Sequence, residues 1–408
     1  MITKPNSTAA TRALLESGTF DYPLPEAAIA KFPLPERDAS RLLVWSEGEI
    51  VDSHFKLISN HLPANSLVVF NNTKVVPARL FFQKKTGAWI EILVTDHLYA
   101  ASNQSAKQVC TCIIGNKKKW HPGEILEMRM AIKGETELVL RASLWNESTH
   151  EVELSWNKND LNFLEVLALA GEMPIPPYLN READETDKTN YQTVYARNHG
   201  AIAAPTAGLH FTESVLNSII TKQIQTTEVT LHVGIGTFKP MKTTQVAAHE
   251  MHAEEVHIGI ETISALEHHT GPLVAVGTTS MRTLESLFWL GLVLKNTGSM
   301  PEILETEIPY QLEDTTCQRT DILQILRKYM EDNQLKTIAF ATRIYIMPGY
   351  RFRMVDGLIT NFHQPKSTLL VLIAAFIGND WKEIYHHALE VGYRFLSYGD
   401  SSLLWRSE

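Results

Sequence analysis

The sequence is poor in cysteine and has no long apolar segment. Its three cysteines are too few for a disulfide framework, and no histidine or cysteine cluster surrounds them at the spacing of zinc ligands. The longest apolar run, residues 369–377, is far shorter than the roughly 20 residues of a membrane-spanning helix. We therefore expect a reducing, cytoplasmic compartment, no metal site and no membrane partner.

Basic residues are also few, since 37 Lys and Arg stand against 46 Asp and Glu, for a formal net charge of −9. Proteins that coat nucleic acid are basic overall, so this balance argues against that class. It still allows an enzyme that contacts RNA through a local basic surface. At 408 residues and with a globular composition, the chain is expected to form two domains, or one domain with a large insertion.

The pattern of apolar runs changes along the chain. Residues 1–18 are small and polar, which predicts a flexible extension. Residues 74–157 contain short strand-like runs without helices, which predicts an inserted all-β, barrel-like domain. Residues 19–73 and 158–408 alternate helices with strands, which predicts an α/β main domain. Its helices are expected at 161–170, at 212–224 with Thr212 as N-cap, at 260–269, at 281–292 and at 367–377.

The segment 274–286 combines a buried strand, a glycine, three hydroxyl side chains and a helix. At a helix start, Thr278, Thr279 and Ser280 can bind a carboxylate or a phosphate through hydroxyl and backbone N–H groups. The alternative is an ordinary N-cap, which the segment alone favours. Arg282 lies in the first turn, where a positive charge opposes the helix dipole, and this favours ligand binding.

Two glycine-containing turns each carry one histidine. The first, 203–212, precedes a predicted helix, and the second, 230–238, follows a predicted strand. Their candidate residues are Thr206, Gly208 and His210, then His232, Gly234 and Gly236. Glycine lets a backbone approach a ligand closely, but a Gly-x-Gly turn without a third glycine is not a dinucleotide fingerprint. A lone histidine is more often structural than catalytic, so both interpretations stay open at this point.

Two segments combine basic and aromatic residues. In 347–353 the alternation predicts a strand with Arg351 and Arg353 on one face and Tyr350 and Phe352 on the other. That pattern is typical of a surface that binds phosphates and stacks a base, and equally of the solvent face of an edge strand. The second segment is the lysine run 117–119, a type of run that is more commonly a solvated turn.

Two short polar segments carry carboxylates. Asp400 lies in the turn 398–402, and Glu254 lies beside a histidine in 251–255. Either carboxylate could act as a general base or supply a negative field, and surface charge is the alternative.

Six further sequence motifs, each long and of uncommon composition, occur along the chain. They are FDYPLP at 20–25, PLPER at 33–37, VFNNTKVVPARL at 69–80, MPIPPY at 173–178, YQTVY at 191–195 and YRFLSYGD at 393–400. Together with the segments above, they make residues 20–404 resemble the S-adenosylmethionine:tRNA ribosyltransferase-isomerases of queuosine biosynthesis.

The resemblance implies a reaction and its substrates. The ribosyl part of S-adenosylmethionine is transferred to the aminomethyl group of a 7-deazaguanine base at the tRNA wobble position and isomerised, which yields epoxyqueuosine, adenine and methionine. S-adenosylmethionine is then a co-substrate, no cofactor is tightly bound, and the partner is a tRNA with a queuosine-type anticodon. The resemblance also implies an α/β main domain with an inserted β-barrel. We expect a monomer.

The roles of individual residues follow from matching this chemistry to the motifs. The sulfonium acidifies the adjacent 5′ carbon, the departing adenine needs a proton and the attacking amine must be neutral, so groups that titrate near neutrality are required. The expected catalytic residues are His210, His232, His363, Asp400 and Glu254. The expected substrate-binding residues are Thr206, Gly208, Gly234, Gly236, Thr278, Thr279, Ser280, Arg282 and Asn361. The expected RNA-binding residues are Arg351, Arg353, Arg394, Lys117, Lys118 and Lys119.

Four features depart from the family's pattern: the N-terminal extension, the long stretch 289–336, the turn at 116–120 and Ile235. They leave open a paralogue that uses the same donor on another RNA or deazapurine. A S-adenosylmethionine-dependent RNA methyltransferase is a second alternative, although its glycine-rich strand-turn-helix is missing, and a non-catalytic RNA-binding module is a third. The products separate these classes, because a methyltransferase releases S-adenosylhomocysteine instead of adenine and methionine.

Overall fold

The computed structural model describes residues 14–96, 106–132, 136–146, 148–234, 236, 241–312 and 316–406. Most of the predicted extension, residues 1–13, and positions 235, 237 and 238 of the second glycine turn lie outside the described residues. The strands are β1 (Arg41–Ser46), β2 (Glu49–His54), β3 (Leu67–Asn71), β4 (Thr73–Val75), β5 (Arg79–Gln83), β6 (Trp89–Val94), β7 (Lys107–Gly115), β8 (Leu126–Ile132), β9 (Thr136–Asn146), β10 (Glu151–Trp156), β11 (Asn198–Ala201), β12 (Gln225–Leu231), β13 (Glu254–Gly259), β14 (Leu273–Val276), β15 (Ile303–Leu304), β16 (Thr337–Thr342), β17 (Gly357–Asn361) and β18 (Ser401–Trp405). The α-helices are α1 (Phe163–Ala170), α2 (Asp187–Asn190), α3 (Glu213–Thr221), α4 (Ile260–His268), α5 (Gly277–Thr297), α6 (Ile308–Gln311), α7 (Arg319–Asp332), α8 (Thr368–Ile377) and α9 (Trp381–Glu390).

The chain divides into two compact units. The first unit comprises Met1–Asn72, Thr193–Ala196 and Pro205–Glu408, and the second comprises Thr73–Gln192 and Arg197–Ala204. The second unit therefore continues beyond residue 157 and includes α1. The domain boundaries inferred from the sequence stay a prediction.

The first unit is built on a mixed ten-stranded sheet with the order β15-β16-β13-β12-β3-β14-β17-β18-β1-β2. Its central strands β12, β3, β14 and β17 are parallel. All residues of β3, β14 and β17 are buried, as expected for apolar strands of a parallel sheet with both faces covered. On one face of this sheet, Phe55, Phe211, Val215 and Ile219 belong to a buried hydrophobic cluster.

The second unit contains a six-stranded antiparallel sheet with the order β5-β6-β7-β10-β9-β8. Strands β5 and β8, at the two ends of this order, lie close to each other, so the sheet forms a nearly closed barrel. The strands predicted between residues 88 and 156 are confirmed to within two residues at each end. Cys110 and Cys112 are buried on β7, where burial raises the pKa of both thiols, so packing accounts for them.

Local sequence signals fix several helix starts. Thr212 caps α3, because its hydroxyl accepts a hydrogen bond from the backbone N–H of Val215, as predicted. Helix α1 begins later than predicted, at Phe163, because Asn162 and Glu165 form a reciprocal capping box at that position.

The predicted start of the helix at Met281 was wrong, since α5 begins at Gly277 and ends at Thr297. Gly277 has a φ of +86°, a conformation that glycine adopts without steric cost, and β14 therefore turns directly into the helix. Thr278, Thr279 and Ser280 consequently form the first turn of α5. The predicted position of Arg282 in the first turn was therefore wrong, since Arg282 lies in the second turn.

The predicted strand over 347–353 was also wrong, because Met347–Arg353 forms a turn and irregular backbone. Gly349 has a φ of +88°, and the N–H groups of Arg353, Met354 and Val355 donate to the carboxylate of Glu285 at 2.9 to 3.0 Å. Since these donors are used by a buried side chain, they do not enter a sheet. Arg351 and Arg353 therefore do not share a strand face.

Candidate active site

The strand order brings many of the predicted site residues to one edge of the ten-stranded sheet. The carboxyl ends of β12, β3, β14 and β17 lie at this edge because the strands are parallel, and β13, β18 and β1, which run the opposite way, begin there. In strand order the edge carries Glu254, His232, Asn71, Gly277, Asn361, Asp400 and Ser40. Ligands of open α/β sheets bind at this carboxyl edge, which is therefore the candidate active site.

His210 lies at the carboxyl edge with both ring nitrogens in hydrogen bonds. Nδ1 is 2.9 Å from Oγ of Ser40, and Nε2 is 3.0 Å from Nδ2 of Asn361. The hydroxyl of Thr206 donates to Oδ1 of Asn361 at 3.1 Å, so the amide nitrogen of Asn361 faces the ring. Nε2 therefore accepts a hydrogen bond and Nδ1–H donates one, which is the pattern of a neutral imidazole.

The surroundings of His210 keep this ring uncharged. Burial lowers its pKa from 6.5 to about 3, and the positive charges of Arg394 and Arg37 act in the same direction. His210 is thus suited to accept a proton or a hydrogen bond, and it stores no proton of its own near neutral pH. A substrate proton can reach Nε2 only by replacing the amide of Asn361.

Arg282 is a buried cation at the same edge and is only 8% exposed. Its Nη1 lies 2.8 Å from Oε2 of Glu254, while Oε1 of Glu254 accepts the backbone N–H of Gly234 at 3.0 Å. In the described part of the chain, Nε and Nη2 of Arg282 have no hydrogen-bond partner. Buried guanidinium donors without a partner are costly, so these two groups are available to an anionic ligand.

The first turn of α5 is tied to the sheet by Asn71. Its Nδ2 donates to the carbonyl of Leu231 at 3.0 Å and lies 3.4 Å from Oγ1 of Thr279, and its Oδ1 accepts the N–H of Leu231. Ser280 is fully buried, and its hydroxyl donates to the carbonyl of Val276 within the helix at 2.7 Å. Of the three predicted hydroxyl residues, Ser280 therefore already donates its hydroxyl hydrogen to a backbone carbonyl of the helix.

His232 and His363 follow β12 and β17 at the carboxyl edge. Burial lowers the pKa of His232 to about 4 and that of His363 to about 3. Nε2 of His363 is 3.0 Å from Oγ1 of Thr360, and its backbone N–H donates to the hydroxyl of Tyr385. Both histidines are therefore neutral at pH 7, like His210.

Asp400 has the hydrogen bonds of a carboxylate that organises two chain segments. It accepts the backbone N–H of Arg41 at 3.0 Å and that of Arg394 at 2.8 Å. Nη2 of Arg394 lies 3.6 Å from its Oδ1. Asp400 therefore holds the start of β1 beside the turn that precedes β18.

The glycines of the two turns have different surroundings. A Cβ at Gly208 would lie 2.0 Å from the hydroxyl of Tyr195, so internal packing alone requires glycine there. A Cβ at Gly236 would lie 2.4 Å from the ring of His252, whereas one at Gly234 would meet open space within the described residues. Only Gly234 is thus placed as expected for a backbone that faces a ligand.

The predicted RNA-binding residues lie at separate places. Arg351 is exposed, whereas the guanidinium of Arg353 lies over the rings of Phe288 and Trp289, with its carbon 5.4 and 5.7 Å from their centroids. The 3₁₀ helix Lys117–Lys119 belongs to the second unit.

Comparisons with known proteins identify the family. The family model described as "Queuosine biosynthesis protein" matches residues 17–404. A relative from Pelobacter propionicus, named S-adenosylmethionine:tRNA ribosyltransferase-isomerase, is 37% identical over 391 residues, which cover 94% of this chain and 98% of the relative. The chain belongs to this family. The crystal structure of an S-adenosylmethionine tRNA ribosyltransferase from Thermotoga maritima is 27% identical and covers 94% of this chain and 99% of its own, with a TM-score of 0.46.

Sequence reasoning missed two residues at the carboxyl edge of this queuosine biosynthesis protein. Asn71 could have been found, because an asparagine that ends an apolar strand is placed where ligands of α/β sheets bind. Ser40 gives no such signal, since its contact with His210 joins two segments that are 170 residues apart in the sequence. In the described part of the chain, no group of three or more His, Cys, Asp or Glu residues could hold a metal, and no helix is long and apolar enough to cross a membrane.

The buried neutral histidines predict a loss of stability in acid. The pKa values of His210 and His363 are about 3 and that of His232 about 4, against 6.5 in the unfolded chain. The unfolded state therefore binds more protons below pH 6.5, and the free energy of unfolding falls by up to about 1.4 kcal/mol per pH unit for each histidine. Urea unfolding at pH 7 and pH 5 measures the effect. A His363→Gln variant should lose less stability between these pH values; an unchanged difference would contradict the neutral state of His363.

Proposed function

We propose that the protein transfers and isomerises the ribosyl part of S-adenosylmethionine onto the 7-aminomethyl-7-deazaguanine base at the tRNA wobble position, with release of adenine and methionine. The observation that carries this function is the relative named S-adenosylmethionine:tRNA ribosyltransferase-isomerase, whose similarity extends over 98% of its length. The carboxyl edge supports it, because anion-binding, carboxylate and imidazole groups lie there on neighbouring strands.

The Arg282 side of the edge is the proposed donor site. The two available nitrogens of Arg282 and the N–H groups of the first turn of α5 suit the carboxylate of the methionyl part. The carboxylate of Glu254, fixed by Arg282 and the N–H of Gly234, supplies negative charge for the sulfonium. Thr278 and Thr279 complete the binding surface.

The three buried histidines are the proposed proton-transfer groups. A base must remove the proton from the 5′ carbon beside the sulfonium, and the attacking amine must lose a proton when the new C–N bond forms. His210, His232 and His363 are uncharged near neutral pH and can accept these protons. Because burial lowers their pKa values to about 3, 4 and 3, the expectation that these groups titrate near neutrality was wrong. In this scheme Asn361, Thr206 and Ser40 orient His210, and Asp400 positions the segments around it.

The proposed tRNA contacts are made by basic residues that are exposed or partly exposed. Arg351 lies in a turn, and the carboxylate of Glu285 binds the backbone N–H groups of the residues that follow it. These hydrogen bonds hold the backbone next to the side chain of Arg351 in place. The proposed set also includes Arg353, Arg394 and Lys117–Lys119. Because the guanidinium of Arg353 lies over buried rings, its contact with tRNA is the least direct of the set.

A product assay tests the function. The protein is incubated with S-adenosylmethionine and tRNA that carries the aminomethyl deazaguanine, and the digested tRNA is searched for epoxyqueuosine while adenine and methionine are quantified. We expect all three products in equal amounts. S-adenosylhomocysteine would identify a methyltransferase, and adenine release only with a different RNA would identify a paralogue. tRNA with unmodified guanine at the wobble position is the control.

We expect His210→Ala and His232→Ala each to lower the rate of adenine release about 100-fold, because each removes a proposed proton acceptor. Single-turnover release at saturating donor and tRNA measures this step. His386→Ala removes a histidine whose side chain is 73% exposed and serves as the matched control. Near-normal release by both variants, with intact folding, would exclude the proposed roles.

A further inference from the structure

The barrel of the second unit carries an open groove outside the carboxyl edge. It has a volume of about 710 Å³ and is lined by Phe81 and Gln83 of β5, Trp89 of β6, the turn 84–86 and residues 124–129. Strands β5 and β8 are the two ends of the strand order and form no ladder with each other within the described residues. The groove therefore follows the seam at which the barrel stays open.

An aromatic face in this groove is open to solvent. Trp89 is 51% exposed, and Ile125 on the opposite wall is 63% exposed. Contiguous exposed apolar surface marks interaction sites, and an exposed indole offers a large flat face to a ligand. Nucleic-acid bases stack on such faces without regard to sequence.

The charges around the groove leave an excess of cations. Its two carboxylates are neutralised, because Glu124 lies 2.8 Å from the ammonium of Lys84 and Glu127 pairs with Arg129 at 2.7 Å. In contrast, Lys85, Lys118 and Lys119 are exposed, and none of them forms an ion pair among the residues that the structure describes. Their ammonium groups can therefore bind phosphate.

The lysine turn is attached directly to the groove. Nζ of Lys84 donates to the carbonyl of Lys119, and Nδ2 of Asn116 donates to the carbonyl of Trp89 at 3.1 Å. The short helix Lys117–Lys119 therefore stands beside Trp89. A chain with a net charge of −9 thus concentrates lysines next to Trp89.

We propose that this groove binds an unpaired segment of the tRNA substrate. The indole of Trp89 stacks on a base, and Lys85, Lys118 and Lys119 hold the phosphates on either side of it. The inference rests on the proposed function, since it supplies a further contact for the same tRNA from the second unit. The combination of free cations and an exposed aromatic face fits RNA, whereas a peptide strand added at the open seam needs neither.

Binding of fluorescently labelled, unmodified tRNA to the full chain tests this site. Anisotropy titrations at several KCl concentrations give the Kd and its salt dependence. Stacking contributes about tenfold to affinity, so Trp89→Ala should raise the Kd about tenfold, while Trp89→Phe retains most of the affinity. The double variant Lys118→Ala/Lys119→Ala should raise the Kd and reduce the slope of log Kd against log [KCl] by about 1.5.

Two control variants test whether the change in Kd and salt slope is specific to the groove. Trp145→Ala removes another tryptophan of the same barrel, 62% exposed on β9, and should leave the Kd unchanged. Lys328→Ala/Lys336→Ala removes the same charge from exposed positions of the first unit and should leave the salt slope unchanged.

The outcomes distinguish this proposal from the proposed function. A wild-type protein that binds tRNA through the groove but forms no epoxyqueuosine refutes the function alone. A wild-type protein that forms epoxyqueuosine, with an unchanged KM for tRNA in both groove variants, refutes the groove alone. Equal losses in the groove variants and their controls would also overturn it, as would a Trp89→Ala effect confined to the KM for S-adenosylmethionine.

Discussion

Arg282→Met is expected to lower kcat/KM for S-adenosylmethionine by about 100-fold or more. The substitution removes the two buried nitrogens, Nε and Nη2, that have no protein partner in the described structure and that we assign to the methionyl carboxylate. Decarboxylated S-adenosylmethionine, which lacks the methionyl carboxylate, tests whether Arg282 binds that group. The wild type should bind it far more weakly than the complete donor, whereas the variant should bind the two almost equally. A variant that still prefers the carboxylated donor as strongly would contradict the assignment.

The same substitution also affects stability, and this effect must be separated. Loss of Arg282 leaves Glu254 buried without its cation, which costs about 3 to 5 kcal/mol. The double variant Arg282→Met/Glu254→Gln removes both charges and should recover much of the free energy of unfolding without recovering donor selectivity. Arg343→Met, which breaks an exposed pair with Glu305, is the control for both measurements.

Glu285→Ala is expected to lower the free energy of unfolding by about 4 kcal/mol or more. The carboxylate is fully buried and accepts hydrogen bonds from three backbone N–H groups and from the hydroxyl of Tyr350 at 2.8 Å. Tyr350 in turn accepts the indole N–H of Trp289 at 2.6 Å. Removing the acceptor leaves several buried donors unsatisfied, and each costs about 1 to 3 kcal/mol. Urea unfolding at pH 7 measures the loss.

Two variants control this experiment. Glu285→Gln keeps one oxygen for the N–H groups of Met354 and Val355, but its amide group opposes the N–H of Arg353, so it should lie between alanine and the wild type. Glu331→Ala, an exposed glutamate paired with Arg327, should change the free energy of unfolding by less than about 1 kcal/mol. Similar losses in Glu285→Ala and Glu331→Ala would show that the buried network contributes little.

Local patterns predicted the elements that depend on neighbouring residues. The buried strand predicted at the start of the segment 274–286 is confirmed as β14, because an uninterrupted apolar run between turn residues fits a buried parallel strand. Thr212 was identified as a cap for an equally local reason. The motifs around His210, His232 and Asp400 were singled out as well, and the strand order places them at one edge of the sheet.

Contacts between distant segments could not be predicted in this way. The alternating arginines and aromatics of 347–353 fit a strand. However, the carboxylate of Glu285 in helix α5 accepts hydrogen bonds from the backbone N–H groups of residues 353–355. The sequence also suggested that Gly208 makes room for a ligand, whereas the hydroxyl of Tyr195 occupies that space. The partner that decides each conformation is absent from the local pattern.

The position of β18 has a consequence for how the chain folds during synthesis. This strand pairs with β17 on one side and with β1 on the other, where Leu42 lies opposite Ser401. The ribosome therefore releases β1 and β2 long before the strand that joins them to the rest of the sheet. The second unit is nearly continuous in sequence and can fold while later residues are still being made. Completion of the sheet awaits the last residues of the chain, as expected for slow formation of contacts between distant segments.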